Sequence, residues 1–400
     1  MKLKILIIGF VLCVFAGCQD TNKTLIQDDL DRNEYFVSEE FVVNNVADIY
    51  AECNIGRERP AIETYGNSTE KSTTKKVKEM RSVKDERHNL PAFYIVNFEE
   101  GGFIIVSADT RAGTVLAVSD SLENTFPFDE EIPLGLQFWM DGQKEKISEI
   151  RDSGEVPEEI RTYAISEPPL TITSYGPLVQ TQWGQQNGFN ALMPICPQSG
   201  QPYAAGCVNI AVAQIMRYWE HPASYAWNSM NNYSATPATA ALIKDLYDLN
   251  YSFPGVQQCG TSVYTANMMN TLTGLGYSIS KTNDNSGLNP TLVRQQISSG
   301  RPIMLYASVV SNSSLAHLWI CDGYFYLSPH VGYVNPADGD MIIPSTDKPG
   351  YYFHHNWGWQ GSYDGWYIEG NFSPSYNFSA SSIHIYYDIR ALNLLNPPIQ

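Results

Sequence analysis

The order of apolar and polar positions divides the chain into stretches of different period. Within GCVNIAVAQIMRYWEHP, from Gly206 to Pro222, apolar side chains recur at Val208, Ala211, Val212, Ile215, Met216 and Trp219, the spacing of one buried helical face. This predicts a helix that opens near Cys207 behind a glycine turn and stops at Pro222. The same period predicts helices over 41–50, 134–152, 236–248, 262–275 and 290–299. Alternating or continuous apolar runs predict strands at 93–98, 102–107 and 115–118, then at PIMLYASVV from Pro302, HLWICDGYFY from His317, YYFHHNWGW from Tyr351, GWYIEG from Gly365, and SSIHIYYDI. Residues 61–88 are polar and lysine-rich and read as an exposed or mobile stretch, and 153–177, with VPEE and SEPP, lacks periodicity and reads as a linker.

The first residues follow a different rule. Lys2 and Lys4 precede an apolar run from Ile5 to Ala16 that is short for a membrane span and fits the core of an export signal. The run closes on FAGC and resembles a bacterial lipoprotein leader, which implies cleavage of 1–17 and lipidation of Cys18, with 18–29 as an anchored spacer. The expectation is an exported cell-envelope lipoprotein, at the outer membrane or the cell surface, held to the membrane by its N-terminal lipid alone. Release of the mature domain is left open.

Length and charge narrow the picture. Four hundred residues exceed one ordinary core, so two folded regions are expected. The net charge of -17 leaves no basic excess for nucleic acid. It is unevenly placed, with 18 basic and 31 acidic residues before Pro168 and 7 and 11 from there to the end. Two differently built halves follow, the second rich in Tyr, Trp, Asn, Ser and Gly. Seven cysteines show no zinc-type spacing. Beyond Cys13 and Cys18 of the leader, Cys53, Cys196, Cys207, Cys259 and Cys321 are odd in number, so at least one is free; Cys196 and Cys259 are expected to stay unpaired. His354 and His355 point to opposite faces of a strand and so do not chelate one metal together, and no metal or other cofactor is expected.

Candidate chemistry centres on Cys207. At a helix start its sulfur meets unpaired N–H groups and the positive end of the helix dipole, which favour the thiolate, the nucleophilic form. A lone cysteine is as readily a small buried apolar side chain, and its surroundings decide between the two. TQWGQQNGFN lies upstream, with Gln185 twenty-two residues before the cysteine; SLAHLWICDGY around His317 and HHNWGWQGSYDGWY around Asn356 and Trp357 lie downstream. An amide can hold an oxyanion, a histidine can pair with the thiolate and protonate an amine, and a further group must hold the imidazole.

In that order these blocks resemble the streptopain family of papain-like cysteine peptidases. The resemblance implies an α+β fold, a helical part facing a twisted antiparallel sheet, preceded by a small α+β pro-domain. It implies Cys207 as nucleophile and His317 as its partner. Gln185, preferred to Gln182 and Gln186, supplies the oxyanion hole with the Cys207 amide, and Trp357, ahead of Asn356, orients the imidazole. It also implies a pro-domain at 30–152 that blocks the cleft, an activation linker at 153–177 and a peptidase domain at 178–400, with a peptide or protein substrate apolar two residues before the scissile bond. The abundant tyrosines and tryptophans suit an apolar cleft. Ala316 and Leu318 replace smaller residues beside the histidine and are expected to crowd that cleft, and Gln360 stands where glycine is usual. From another class, the alternative is a catalytically inactive lipoprotein that binds peptide or host protein in the same cleft. Acyl transfer to an amine would use the same site.

Overall fold

Along 77–85, where an exposed polar stretch is expected, single apolar residues at Val77, Met80 and Val83 are separated by pairs of polar ones, a composition that a sheet edge tolerates. In the computed structural model these residues form strand β1 (Val77–Asp85), the first of an antiparallel series with β2 (Leu90–Phe98), β3 (Phe103–Ser107) and β4 (Val115–Ser119). The expectation of a loose segment is corrected here: lysines and glutamates on an edge strand deter further pairing while the strand hydrogen-bonds on its other side. Behind β1, β2 and β3 are buried almost throughout and read as continuous apolar runs. Helix α1 (Glu39–Cys53) precedes them, and helix α2 (Leu134–Ser153) follows and packs on β1 and β2.

The structure describes residues 35–53, 75–119, 124–154, 173–255, 259–281, 290–309, 312–327, 333–334, 342–343, 350–368, 378–380, 383–385 and 387–394. The leader, Cys18, the anchored spacer, most of the linker and the PADGD excursion at 336–340 lie outside them.

In the second half, β5 (Thr173–Tyr175) leads to helix α3 (Cys207–Trp219), then α4 (Pro237–Leu249), α5 (Thr265–Gly274), β6 (Ile279–Lys281) and α6 (Pro290–Ser298). Strands β7 (Ile303–Val309), β8 (Asn312–Leu327), β9 (Gly350–Asn356), β10 (Gly365–Ile368) and β11 (Tyr387–Leu394) follow. The buried face of α3 that the periodicity predicts packs with Leu242, Ile243 and Leu246 of α4, Met268 and Leu272 of α5, and Met304, Leu318 and Ile320 of the sheet. A helical layer on a twisted antiparallel sheet is the papain-like α+β arrangement.

The two halves share that sheet. Its order is β1-β2-β3-β4-β10-β9-β8-β7-β11-β6, with β5 added against β8. The join is β4 on β10, where Trp366 pairs with Val118 and Tyr367 with Ala117. Helix α2 reinforces it: the Trp139 ring meets Tyr367 edge-on at 4.9 Å between centroids and its indole N–H donates to the Ile368 carbonyl at 3.4 Å. Truncating a fully buried tryptophan of this kind costs about 3–5 kcal/mol. The front half is thereby fastened to the strand that follows the NWGW block.

Candidate active site

Cys207 begins α3 because Gly206 adopts φ 89°, a backbone open to glycine, and because a Cβ at Gly206 would lie 3.0 Å from the Thr261 carbonyl oxygen. No side chain caps this helix. Its first N–H groups are therefore left toward the space in front of the sulfur. Cys207 is free and half-buried. It lines a cleft of about 1170 Å³ together with His317 of β8 and with Gln185. The Gln185 carbonyl accepts the Ala205 N–H at 2.9 Å, which ties the glutamine to the turn entering α3. Gln182 is turned away, its amide donating to Asn124 at 3.1 Å, while Gln186 is exposed on the cleft wall.

His317 is buried between two indoles, Trp319 at 5.8 Å and nearly parallel, and Trp359 at 5.3 Å and edge-on. Its Nε2 lies 3.1 Å from the Trp357 carbonyl oxygen. A carbonyl only accepts, so Nε2 carries the proton and Nδ1 keeps its lone pair. The group on the imidazole is thus the main chain of Trp357. The Trp357 indole lies below, against Trp319 at 5.1 Å and Tyr367 at 5.4 Å. Asn356 does not reach the histidine: its amide donates to the Thr181 carbonyl at 2.7 Å and accepts from Gln214 of α3 at 3.1 Å. Gln214 also accepts the Trp183 N–H at 3.1 Å, so this pair of amides braces helix α3 against the segment leading to Gln185. Trp359, the second tryptophan of NWGW, is the ring that stands over His317 from the cleft side, and the repeated aromatic of that block was its signal.

A segment of the front half crosses this cleft. Glu130, Glu131, Ile132 and Leu134 line it, and Gly135 in the first turn of α2 sits against His317. A Cβ at Gly135 would lie 3.0 Å from His317 Cδ2 and 2.9 Å from Trp319 Cε3. Only the absence of a side chain lets the helix approach so closely. Burial pulls the His317 pKa down to about 4, against the raising effect of the Trp357 carbonyl. Burial also raises the Cys207 thiol, more than hydrogen bonds from the backbone of Leu318, Val208 and Cys207 lower it. In this cleft the thiol and the imidazole are both held neutral, where an attacking site needs a thiolate.

Three expectations are corrected. Cys196 and Cys259 form a disulfide, with Cα atoms 5.5 Å apart, because the loops on one cleft wall fold onto each other, Cys196 N–H to the Gln201 carbonyl and Ala204 N–H to the Cys259 carbonyl. The described cleft lining is rich in amides and hydroxyls, Gln186, Asn187, Asn190, Ser199 and Ser262 among them, while Trp183, Trp319, Trp357 and Trp366 lie wholly in the core. Leu318 is buried in the core that α3 packs on and leaves the cleft uncrowded, while Ala316 lines it. Gln360 adopts φ 55°, packs over Gly184 and accepts a hydrogen bond from Asn187 at 2.5 Å.

Two known families match successive parts of the chain. The Peptidase C10 family matches residues 183–273 and 223–367, and the Spi protease inhibitor family matches 60–147. The thiol protease/hemagglutinin PrtT of Porphyromonas gingivalis is 24% identical over 330 residues, covering 70% of this chain and 34% of that protein. Streptopain of Streptococcus pyogenes is 24% identical over 321 residues, covering 70% of this chain and 75% of streptopain. The chain therefore spans about a third of the first relative and three quarters of the second. A prointerpain A fragment from Prevotella intermedia shares the fold, with a TM-score of 0.53 at 19% identity over 78% of this chain and 97% of the fragment.

Proposed function

The chain belongs to the peptidase C10, or streptopain, family and carries an inhibitor-type pro-domain, and from that premise we propose that it is the zymogen of a cysteine endopeptidase whose dyad is Cys207 and His317. The observation that carries the reading is one cleft lined by the sulfur at the mouth of α3 and by His317, with Glu130, Glu131, Ile132 and Leu134 across it. In the opened site the thiol proton passes to His317 Nδ1 and the thiolate attacks a peptide carbonyl. The oxyanion is held by the Cys207 N–H and the Gln185 amide. The imidazolium protonates the departing amine, and water, deprotonated by the same nitrogen, releases the acyl group and restores the thiol. Peptide and protein substrates enter as extended chain.

Activation consists of cutting the linker at 153–177 and removing the pro-domain at 30–152, which leaves the peptidase domain at 178–400. Release of segment 130–134 rehydrates the dyad, so the thiol pKa falls and the imidazole pKa rises toward an ion pair. The leader reading adds that the zymogen is exported and anchored through lipidated Cys18; growth with labelled palmitate is expected to mark the wild type and not Cys18→Ala.

Incubation of the purified full chain tests the proposal. Self-trimming by about the size of the pro-domain, together with labelling of Cys207 by an epoxide thiol-protease reagent, is expected in the wild type and not in Cys207→Ala. Gln185→Ala in the trimmed protein should lower kcat about 100-fold with KM little changed, the loss of one oxyanion donor. A trimmed wild type that neither cleaves peptides nor takes the label overturns the reading.

A further inference from the structure

We propose that Asp364 is the positioning residue of the histidine, holding Trp357 so that its carbonyl meets His317 Nε2. This rests on the peptidase reading of Cys207 and His317. Asp364 is 2% exposed, in the strand-to-strand turn that follows NWGW and ends at β10. Its Oδ1 accepts the Trp357 N–H at 2.8 Å, and the Trp357 carbonyl takes His317 Nε2 at 3.1 Å. The two bonds grip one residue from both sides. With its N–H and its C=O each engaged, Trp357 has little freedom to rotate its carbonyl away from the imidazole.

The rest of Asp364 is occupied by bonds that do not need its carboxyl group. Its N–H donates to the Gly361 carbonyl at 3.2 Å, and its own carbonyl accepts the Asn124 amide at 3.1 Å. The turn would close without the side chain, which leaves the carboxyl group to Trp357. Within the block, Asn356 holds the following peptide, its Oδ1 accepting the Gly358 N–H at 3.2 Å as well as the Gln214 amide, while Asp364 holds the preceding one, and the Trp357 ring lies in the core. The charged groups facing Asp364 are His354 and Asp322, and these are paired to each other at 2.6 Å. Burial pushes the Asp364 pKa up to about 7, against the lowering effects of His354 and the Trp357 N–H, with Asp322 adding to the rise. Either protonation state leaves an oxygen that accepts from Trp357. The role is therefore acceptor geometry, and an amide in place of the acid preserves it.

The test has one arm that does not depend on catalysis. In the full chain carrying Cys207→Ala, the hydrogen-bonded Nε2–H of His317 is followed by proton and nitrogen NMR. Asp364→Asn keeps that resonance, and Asp364→Ala shifts or broadens it. Asp364→Ser, too short to reach Trp357 but polar, serves if the alanine variant unfolds. Asn124→Ala removes a bond to the same residue's carbonyl and leaves the resonance in place. In the trimmed peptidase, Asp364→Asn keeps kcat within about threefold, while Asp364→Ala or Asp364→Ser lowers it about 100-fold with KM within about twofold, the cost of a misplaced reacting group. The proposal is overturned if the alanine and serine variants keep resonance and kcat, or if asparagine falls as far as alanine. A trimmed wild type without peptidase activity defeats the peptidase reading instead, and the resonance arm still decides whether Asp364 positions His317.

Discussion

Gly135→Leu should unseat the segment that covers the cleft. At this position even a Cβ would stand 3.0 Å from His317 Cδ2, and 2.9 and 3.0 Å from Trp319 Cε3 and Cζ3. Carbon atoms at rest keep about 3.5 Å or more. Neither ring has room to retreat, since His317 is held at Nε2 by the Trp357 carbonyl and Trp319 is packed on Trp357 in the core. Overpacking of this kind costs about 1–3 kcal/mol. Leucine in place of glycine returns up to about 1 kcal/mol through helix propensity, but its branch beyond Cβ adds to the clash. A net loss of about 2 kcal/mol is a roughly thirtyfold rise in the uncovered fraction. The assay is alkylation of Cys207 in the intact chain at neutral pH, with modified cysteines located by peptide mass. The remaining free thiols of the described fold, Cys53 and Cys321, are buried and report any general unfolding. Glu149→Ala, on an exposed position of the same helix, is the control that improves propensity without touching the cleft. Once trimmed, Gly135→Leu should have wild-type kcat and KM, because the substituted helix is gone. Equal Cys207 alkylation in Gly135→Leu and wild type would refute the claim that α2 shields the cleft of Cys207 and His317 through this contact.

Other consequences are as specific. His317 has a pKa of about 4 in the covered fold against an ordinary 6.5. Between those values the unfolded chain binds the extra proton, so stability is lost as pH falls through that window, by about 3 kcal/mol in all; the Tm of Cys207→Ala should drop more steeply there than that of Cys207→Ala/His317→Gln. Trp359→Ala removes the ring over His317 and should lower kcat/KM of the trimmed peptidase about tenfold with little change in Tm. Asn356→Ala should lower stability in thermal unfolding by about 1–3 kcal/mol, because the buried Gln214 amide, Thr181 carbonyl and Gly358 N–H lose a partner. Breaking the Cys196–Cys259 bridge by Cys259→Ser should cost about 2–4 kcal/mol in thermal unfolding, and a disulfide-free variant that melts with the wild type would show the bridge idle.

Much of this architecture is written in local pattern. The face of α3, the runs of β2 to β4 and the span of α2 follow from side-chain period, because a helix or strand buries one face whatever it meets. Cys207 stands out for a local reason, a glycine-preceded cysteine at a helix start, whereas His317 and Gln185 are singled out from other histidines and glutamines only by the resemblance of their blocks to those of a known family. Residues 77–85 misled the reading, since an edge strand takes its partner from one side only and its composition is then that of a loop.

What the chain order could not decide was which atom of NWGW serves the histidine. Asn356 and Trp357 are both plausible by type, yet the register of β9 against β8 turns one amide toward α3 and one indole into the core, leaving a main-chain carbonyl, a group common to every residue, at His317. The Cys196–Cys259 bridge, the seat of Gly135 on the imidazole and the grip of Asp364 on Trp357 are of the same kind. Periodicity and helix-start chemistry are properties of neighbours along the chain and were readable there. A hydrogen bond across 40 residues or a contact across 182, as between His317 and Trp357 or Gly135 and His317, exists only once the sheet has set its register.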